Sequence, residues 1–159
     1  QDWPGTTGSS TRGLIGGGKR SPSTTDAIDF ITFSSTGNAS DFGDTSSPTH
    51  GLGGLASPTR GVLGGGYPYP AASNIIEFIT PSTEGNSQDF GDLLAPVLSL
   101  AACSSSTRAV QPGSAPSSGA VNTIQYVTIA TTGNAVDFGD MTVAQNGASS
   151  ISDVNGGLG

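Results

Sequence analysis

Apolar and polar residues alternate along this chain in short runs, and no stretch sustains the 3.6-residue apolar period of an amphipathic helix. Residues 74–80 show the alternation best. Ile76, Phe78 and Thr80 fall on one side, and Ile75, Glu77 and Ile79 on the other, which is the two-residue period of a β-strand. Ahead of this strand, Arg60-Gly61-Val62-Leu63 leads into Gly64, Gly65 and Gly66. Behind it, residues 81–86 read as a turn, with Gly85 and Asn86 suited to the positive φ of tight hairpins. A short strand carrying Phe90 follows, and residues 93–102 read as a last strand weakened by Pro96.

The same course is run three times. Thr11-Arg12-Gly13 returns as Thr59-Arg60-Gly61 and Thr107-Arg108-Ala109. Ile28 to Thr32 returns as Ile76 to Thr80 and Ile124 to Thr128, and Gly37-Asn38 as Gly85-Asn86 and Gly133-Asn134. Asp41-Phe42-Gly43-Asp44 returns as Asp89-Phe90-Gly91-Asp92 and Asp137-Phe138-Gly139-Asp140. Every offset is 48 residues, without insertion or deletion. The repeats fall at about 9–56, 57–104 and 105–152, and 153–159 reads as an extra C-terminal strand. Residues 145–159 share the phase of residues 1–15, which is expected to close a ring or to join one subunit to the next.

Composition narrows the function. Hydrophobic residues make up 33% of the 159 residues and glycine is abundant at 25, so the core is thin and long helices are disfavoured. A formal charge of −7 with only five basic residues argues against nucleic acid as a partner and against docking on anionic lipid. The apolar run 93–103 is too short, and too interrupted by Pro96, to cross a bilayer, so no membrane insertion is expected. The single cysteine, Cys103, leaves no internal disulfide, and with one histidine, His50, a structural zinc site has too few ligands.

The repeated motifs have plain structural readings. Asp-Phe-Gly occurs three times without a catalytic-loop His-Arg-Asp or a strand lysine, so a kinase reading fails. Phe42, Phe90 and Phe138 read as core plugs, the glycines as bends, and the acids Asp41, Asp44, Asp89, Asp92, Asp137 and Asp140 as turn caps. Calcium at these acids lacks the dense acidic spacing of calcium loops, and no metal or cofactor is expected. The glycine runs at 16–18 and 64–66 lack the Lys-Ser/Thr of a phosphate loop. His50 stands beside Asp44, but there is no Gly-x-Ser-x-Gly elbow, and no catalytic residue is assigned. Asn38-Ala39-Ser40 is a formal glycosylation sequon in one repeat only. Arg12, Arg60 and Arg108 recur with the acids in a chain otherwise poor in charge, so each arginine is expected to pair with an Asp-Phe-Gly-Asp carboxylate in its own or a neighbouring unit.

The pattern Thr-Arg-Gly-Val-Leu-Gly-Gly-Gly at 59–66, followed by the stretch 122–140 ending in Asp-Phe-Gly-Asp, resembles the kelch-like repeats of aquatic bacteriophage structural proteins and related environmental sequences. The resemblance spans nearly the whole chain. It implies an all-β fold of three tandem 48-residue antiparallel modules, each a four-stranded β-propeller blade. Kelch blades carry a tryptophan after the tyrosine, where this chain has Phe42, Phe90 or Phe138. Three blades fall short of the roughly four to eight of closed propellers, so other chains or further sequence are expected to complete them; an open solenoid-like stack is the alternative.

The function expected from this reading is structural and adhesive, not enzymatic: a subunit of a virion appendage such as a tail fibre, or of an extracellular filament. The expected partner is a second copy, joined through the terminal strands. The loops 19–25, 67–73 and 112–120 differ most between repeats and are expected to face a host-surface glycan, with Tyr67 and Tyr69 as candidate ligand residues. A soluble propeller lectin is the first alternative. A propeller oxidase or glycosidase is the second, and it lacks a metal cluster or a carboxylate pair unique to one blade.

Overall fold

The structure is a computed structural model that describes residues 2–98, 101–114 and 119–145. The extra strand expected at 153–159 lies outside the described residues, as does the joining segment 145–159 apart from Gln145.

The strands are β1 (Gly5–Gly8), β2 (Arg12–Gly16), β3 (Lys19–Arg20), β4 (Ser23–Thr24), β5 (Ala27–Thr32), β6 (Ser40–Asp44), β7 (Gly53–Ala56), β8 (Gly61–Gly64), β9 (Ser73–Ile79), β10 (Gln88–Val97), β11 (Cys103–Ser104), β12 (Arg108–Ser114), β13 (Val121–Thr128) and β14 (Val136–Gln145). Among the described residues there is no helix. They form three four-stranded antiparallel sheets, β1-β2-β5-β6, β7-β8-β9-β10 and β11-β12-β13-β14, here sheets one, two and three. The loop 19–25 folds as the small hairpin β3-β4. Each sheet opens with a strand lying ahead of the repeat frame that starts at 9, 57 and 105. The expected separate strands around Phe90 and over 93–102 are one strand, β10, that ends at Val97 and changes register between Asp92 and Val97.

The period is kept in the hydrogen-bond register. Leu14 pairs with Phe30, Val62 with Phe78, and Val110 with Tyr126. Ile28 faces Gly43, Ile76 faces Gly91, and Ile124 faces Gly139. One residue further along, each pairing slips, leaving Phe42, Phe90 and Phe138 in a bulge. The Asp-Phe-Gly-Asp acids therefore flank a bulge inside a strand and do not cap a turn. The glycine supplies the unusual backbone, with φ of 148° at Gly43 and 146° at Gly91. A side chain there would also meet the next sheet: a Cβ on Gly91 would lie 2.5 Å from the Gly133 carbonyl.

The core sits between sheets, not within one. Leu14, Ile28 and Phe42 of sheet one pack with Ile79 of sheet two. Val62, Ile76 and Phe90 of sheet two pack with Val127 and with Ile129 just past β13. These are the same positions advanced by one period. A single sheet has nothing of its own to cover such a face, so burial comes from stacking, as in repeat proteins. Sheet two, covered on both sides, buries Val62 and Leu63, adjacent residues that point to opposite faces. The first strands also meet edge to edge. The Thr7 hydroxyl donates to the Leu55 carbonyl, and the Ser104 hydroxyl donates to the Ala56 carbonyl at 2.8 Å. No helix of the described residues is long and apolar enough to cross a membrane.

Candidate functional site

Two constellations carry the chemistry of this chain. The first is a clasp between successive sheets. Arg12 begins the second strand of sheet one and Arg60 stands immediately before that of sheet two, and each guanidinium lies over an aromatic ring of the neighbouring strand. Its centre is 4.5 Å from the Phe30 centroid for Arg12 and 4.6 Å from the Phe78 centroid for Arg60. Arg108 stands over Tyr126 in the same way, at 4.9 Å. Each of these rings meets the bulge phenylalanine edge-on: Phe30 with Phe42, Phe78 with Phe90, Tyr126 with Phe138. From this perch Arg12 Nη1 donates to the Pro81 carbonyl at 3.1 Å, and Arg60 Nη1 donates to the Ile129 carbonyl at 2.9 Å.

The turn of the following sheet supplies the rest of the clasp. The Gly85 and Ser87 amides donate to the Phe42 and Asp44 carbonyls, and the Gly133 and Ala135 amides donate to the Phe90 and Asp92 carbonyls. The Asp44 amide donates to Asn86 Oδ1 and the Asp92 amide to Asn134 Oδ1, both at 3.0 Å. Deeper in, buried Glu77 accepts from the Ser46 amide at 2.9 Å, and buried Gln125 accepts from the Leu94 amide at 2.8 Å. The Gly-Asn pair read as a turn is thus also a latch onto the preceding sheet.

The arginines do not meet the carboxylates expected of them. Among the described residues, Arg12, Arg60 and Arg108 engage rings, and the first two engage backbone carbonyls; the ion pair present joins Arg12 to Glu84, a turn residue of sheet two, at 3.7 Å. The reason lies in the register. Arg12 pairs opposite Thr32 at the hairpin end of sheet one, whereas Asp41 pairs opposite Asp29, three residues further along β5. The Asp44 and Asp92 contribution to the interface comes through their backbone groups, while Asp137 Oδ1 accepts from the Gly139 amide at 3.2 Å. Among the described residues no three His, Cys, Asp or Glu side chains converge as metal ligands.

The second constellation is a row of rings on the loops. Trp3 lies 5.9 Å from His50, His50 lies 5.6 Å from Tyr67, and Tyr67 lies 6.3 Å from Tyr69, centroid to centroid. Two backbone bonds fix the row, from the Gly51 amide to the Trp3 carbonyl and from the Tyr67 amide to the His50 carbonyl. The Tyr67 hydroxyl donates to the Pro70 carbonyl at 2.6 Å. Trp3 holds a φ of 56°, a left-handed conformation that costs a residue with a side chain about 1–2 kcal/mol. Even so, Trp3 is 64% and Tyr69 81% exposed. Burial of the imidazole, and secondarily the Lys19 charge, lowers the His50 pKa below its ordinary 6.5. Tyr67 and Tyr69 were legible as loop aromatics; Trp3 and His50 join them only in space. Of the other expected loops, 19–25 is described, and 112–120 only in part.

A cavity of about 20 Å³ between sheets two and three is lined by Val62, Ile76, Val127 and the side chain of Gln111, whose Nε2 is buried without a hydrogen-bond partner. Room for about one water is all such a volume offers.

The fold and the clasp define an all-β protein of three stacked antiparallel sheets. No family model matches the chain, and no curated protein matches it.

Proposed function

We propose that this chain is a non-enzymatic structural and adhesive repeat protein, a subunit of a virion appendage or an extracellular filament that assembles with copies of itself. In this reading the sheets act as kelch-like propeller blades, and the loops present a contact surface to a host glycan. The observation that carries it is the recurrence of the clasp. The most conspicuous side chains of the repeat, Arg60 and Phe90 among them, are engaged in holding one sheet to the next.

The adhesive part is supported by the row from Trp3 to Tyr69. Exposed, backbone-fixed rings suit the apolar face of a pyranose, because little side-chain freedom is lost on contact. The same row favours a second reading, a soluble lectin without an assembly role. The test is a glycan array probed with the wild-type chain and with the Trp3→Ala/Tyr69→Ala variant, alongside a reducing-sugar assay on the same glycans. Binding lost in the variant, with no sugar released, is the expected result. Sugar release by the wild type overturns the non-enzymatic reading, and equal array binding by both proteins overturns the role of the row. Electron microscopy separates filament or particle from free rings, the outcome of the lectin reading.

A further inference from the structure

We infer that the two outer faces of the stack are halves of one interface, so that the outer face of sheet three docks on the outer face of sheet one of a second copy. This rests on the reading of the chain as a self-assembling scaffold, and it locates the contact on sheet faces and not in the terminal segments.

Burial is the first argument. Phe42 and Phe90 are 3% and 2% exposed, each covered by the next sheet, but Phe138 at the same position of sheet three is 54% exposed. On the opposite face, Ile79 and Val127 are 2% and 5% exposed, yet Ile31 is 38% exposed. Pro81 and Ile129 are fully buried, and their equivalent Phe33 is 61% exposed. The apolar positions uncovered at each end are therefore the ones that the internal interface covers.

Hydrogen bonding is the second argument, and it is directional. At both internal interfaces the leading sheet offers a guanidinium, two carbonyls and an amide; the trailing sheet offers a carbonyl, two amides and an Asn oxygen. Sheet three carries the leading set as Arg108, the Phe138 and Asp140 carbonyls and the Asp140 amide. Sheet one carries the trailing set as the Phe33 carbonyl, the Gly37 and Ala39 amides and Asn38 Oδ1. Extending the internal spacing by one period brings Arg108 to the Phe33 carbonyl, Gly37 to the Phe138 carbonyl and Ala39 to the Asp140 carbonyl. Asp29 falls where Glu77 and Gln125 sit, ready to accept the Thr142 amide. An unrelated partner would have to reproduce this pattern; a second copy already contains it.

The interface is heterologous, since the two faces differ, and each copy has one of each. Two copies supply six sheets where one supplies three, within the roughly four to eight of a closed propeller.

The test uses two single variants, Phe33→Asp on one face and Phe138→Asp on the other. Both positions are exposed in the isolated chain, so circular dichroism should match the wild type, and the variants should melt close to the wild type diluted to the point where it is monomeric. Light scattering of the wild type should give a mass above the monomer, and each variant alone should be monomeric. Mixing the variants should restore a one-to-one dimer and nothing larger, because each retains the face that the other has lost. In the wild type, the Gly37 and Ala39 amides should become protected from hydrogen exchange as concentration rises. A wild type that stays monomeric, variants that assemble as the wild type does, or a mixture that stays monomeric would each overturn the docking. The glycan array is run on the same samples. Array binding by a monomeric wild type would refute docking and leave the adhesive reading standing, whereas assembly without array binding would do the reverse.

Discussion

The Arg60 guanidinium donates to the Ile129 carbonyl, 69 residues ahead in sequence and one sheet away in space, while its flat face rests on Phe78. Arg12 repeats this on Pro81, and Arg108 has the ring, Tyr126, but no following sheet among the described residues. Three copies of one side chain thus stand in two different energetic situations. Arg60→Ala removes a charge-assisted bond to the carbonyl of buried Ile129, together with a cation–π contact. It should cost about 2–3 kcal/mol in urea denaturation. Arg108→Ala, measured on the monomer, should cost less than about 1 kcal/mol.

The bulge phenylalanines give a parallel contrast. Phe90 is 2% exposed between sheets two and three. Phe90→Ala opens a cavity there and should cost about 3–5 kcal/mol. Phe138→Ala, at a site already 54% exposed, should cost about 1 kcal/mol or less when the chain is monomeric. Equal losses at the two sites would show that Phe90 is not covered by sheet three.

Gly91 and Gly139 separate backbone strain from close approach. Both have positive φ, 146° and 136°, but only Gly91 has another sheet against it, with Gly133 backbone atoms 2.5 Å from where a Cβ would fall. Gly139→Ala meets no atom within 4 Å and should lose about 1–2 kcal/mol from strain alone. Gly91→Ala should lose that amount and about 1–3 kcal/mol more, because backbone must move to admit the methyl. The difference between the two denaturation curves measures how tightly the sheets abut.

His50 links the ring row to pH. Its folded pKa lies below the ordinary 6.5 because burial, and then Lys19, disfavour the charged ring. The unfolded chain therefore takes up a proton at a pH where the folded chain still resists it. Stability contributed by the neutral ring is fully present above 6.5 and is lost as pH falls through the window down to the folded pKa. An NMR titration should place the His50 midpoint below 6.5, and in His50→Gln the acid-side loss of stability should shrink. A midpoint at or above 6.5 would show the ring to be solvated and screened from the Lys19 charge.

The strands were legible because two periods reinforce each other: the alternation in residues 74–80 and the 48-residue recurrence that fixes the same register three times. The position of the core was not legible, because Val62 and Leu63 face opposite ways and both are buried. A sequence pattern cannot say whether a second face is covered when the cover is another copy of the same unit. The arginine pairing went astray for a related reason. Recurrence gives the phase of Arg60 and of Asp89 within a unit but no distance between units, and the partner lies in the next sheet's turn. The strand position of Glu77 and Gln125 did carry a signal, a polar residue held at an inward place in an apolar run, and each proves to accept an amide from the preceding sheet. Trp3 and His50 occur once, so no period marks them, and only the folded loops bring them beside Tyr67.

Hydrogen exchange at two repeated positions tests the stacking most directly. The Gly85, Ser87, Gly133 and Ala135 amides donate to the preceding sheet, whereas Gly37 and Ala39, at the same places in sheet one, have no preceding sheet among the described residues. The measurement is made on the Phe138→Asp variant, so that docking between copies does not protect Gly37 and Ala39. The stacked arrangement predicts slow exchange at the first four amides, comparable to amides paired within the sheets, and fast exchange at Gly37 and Ala39. Equal protection at all three repeats, or fast exchange at Gly85 and Gly133, would contradict it.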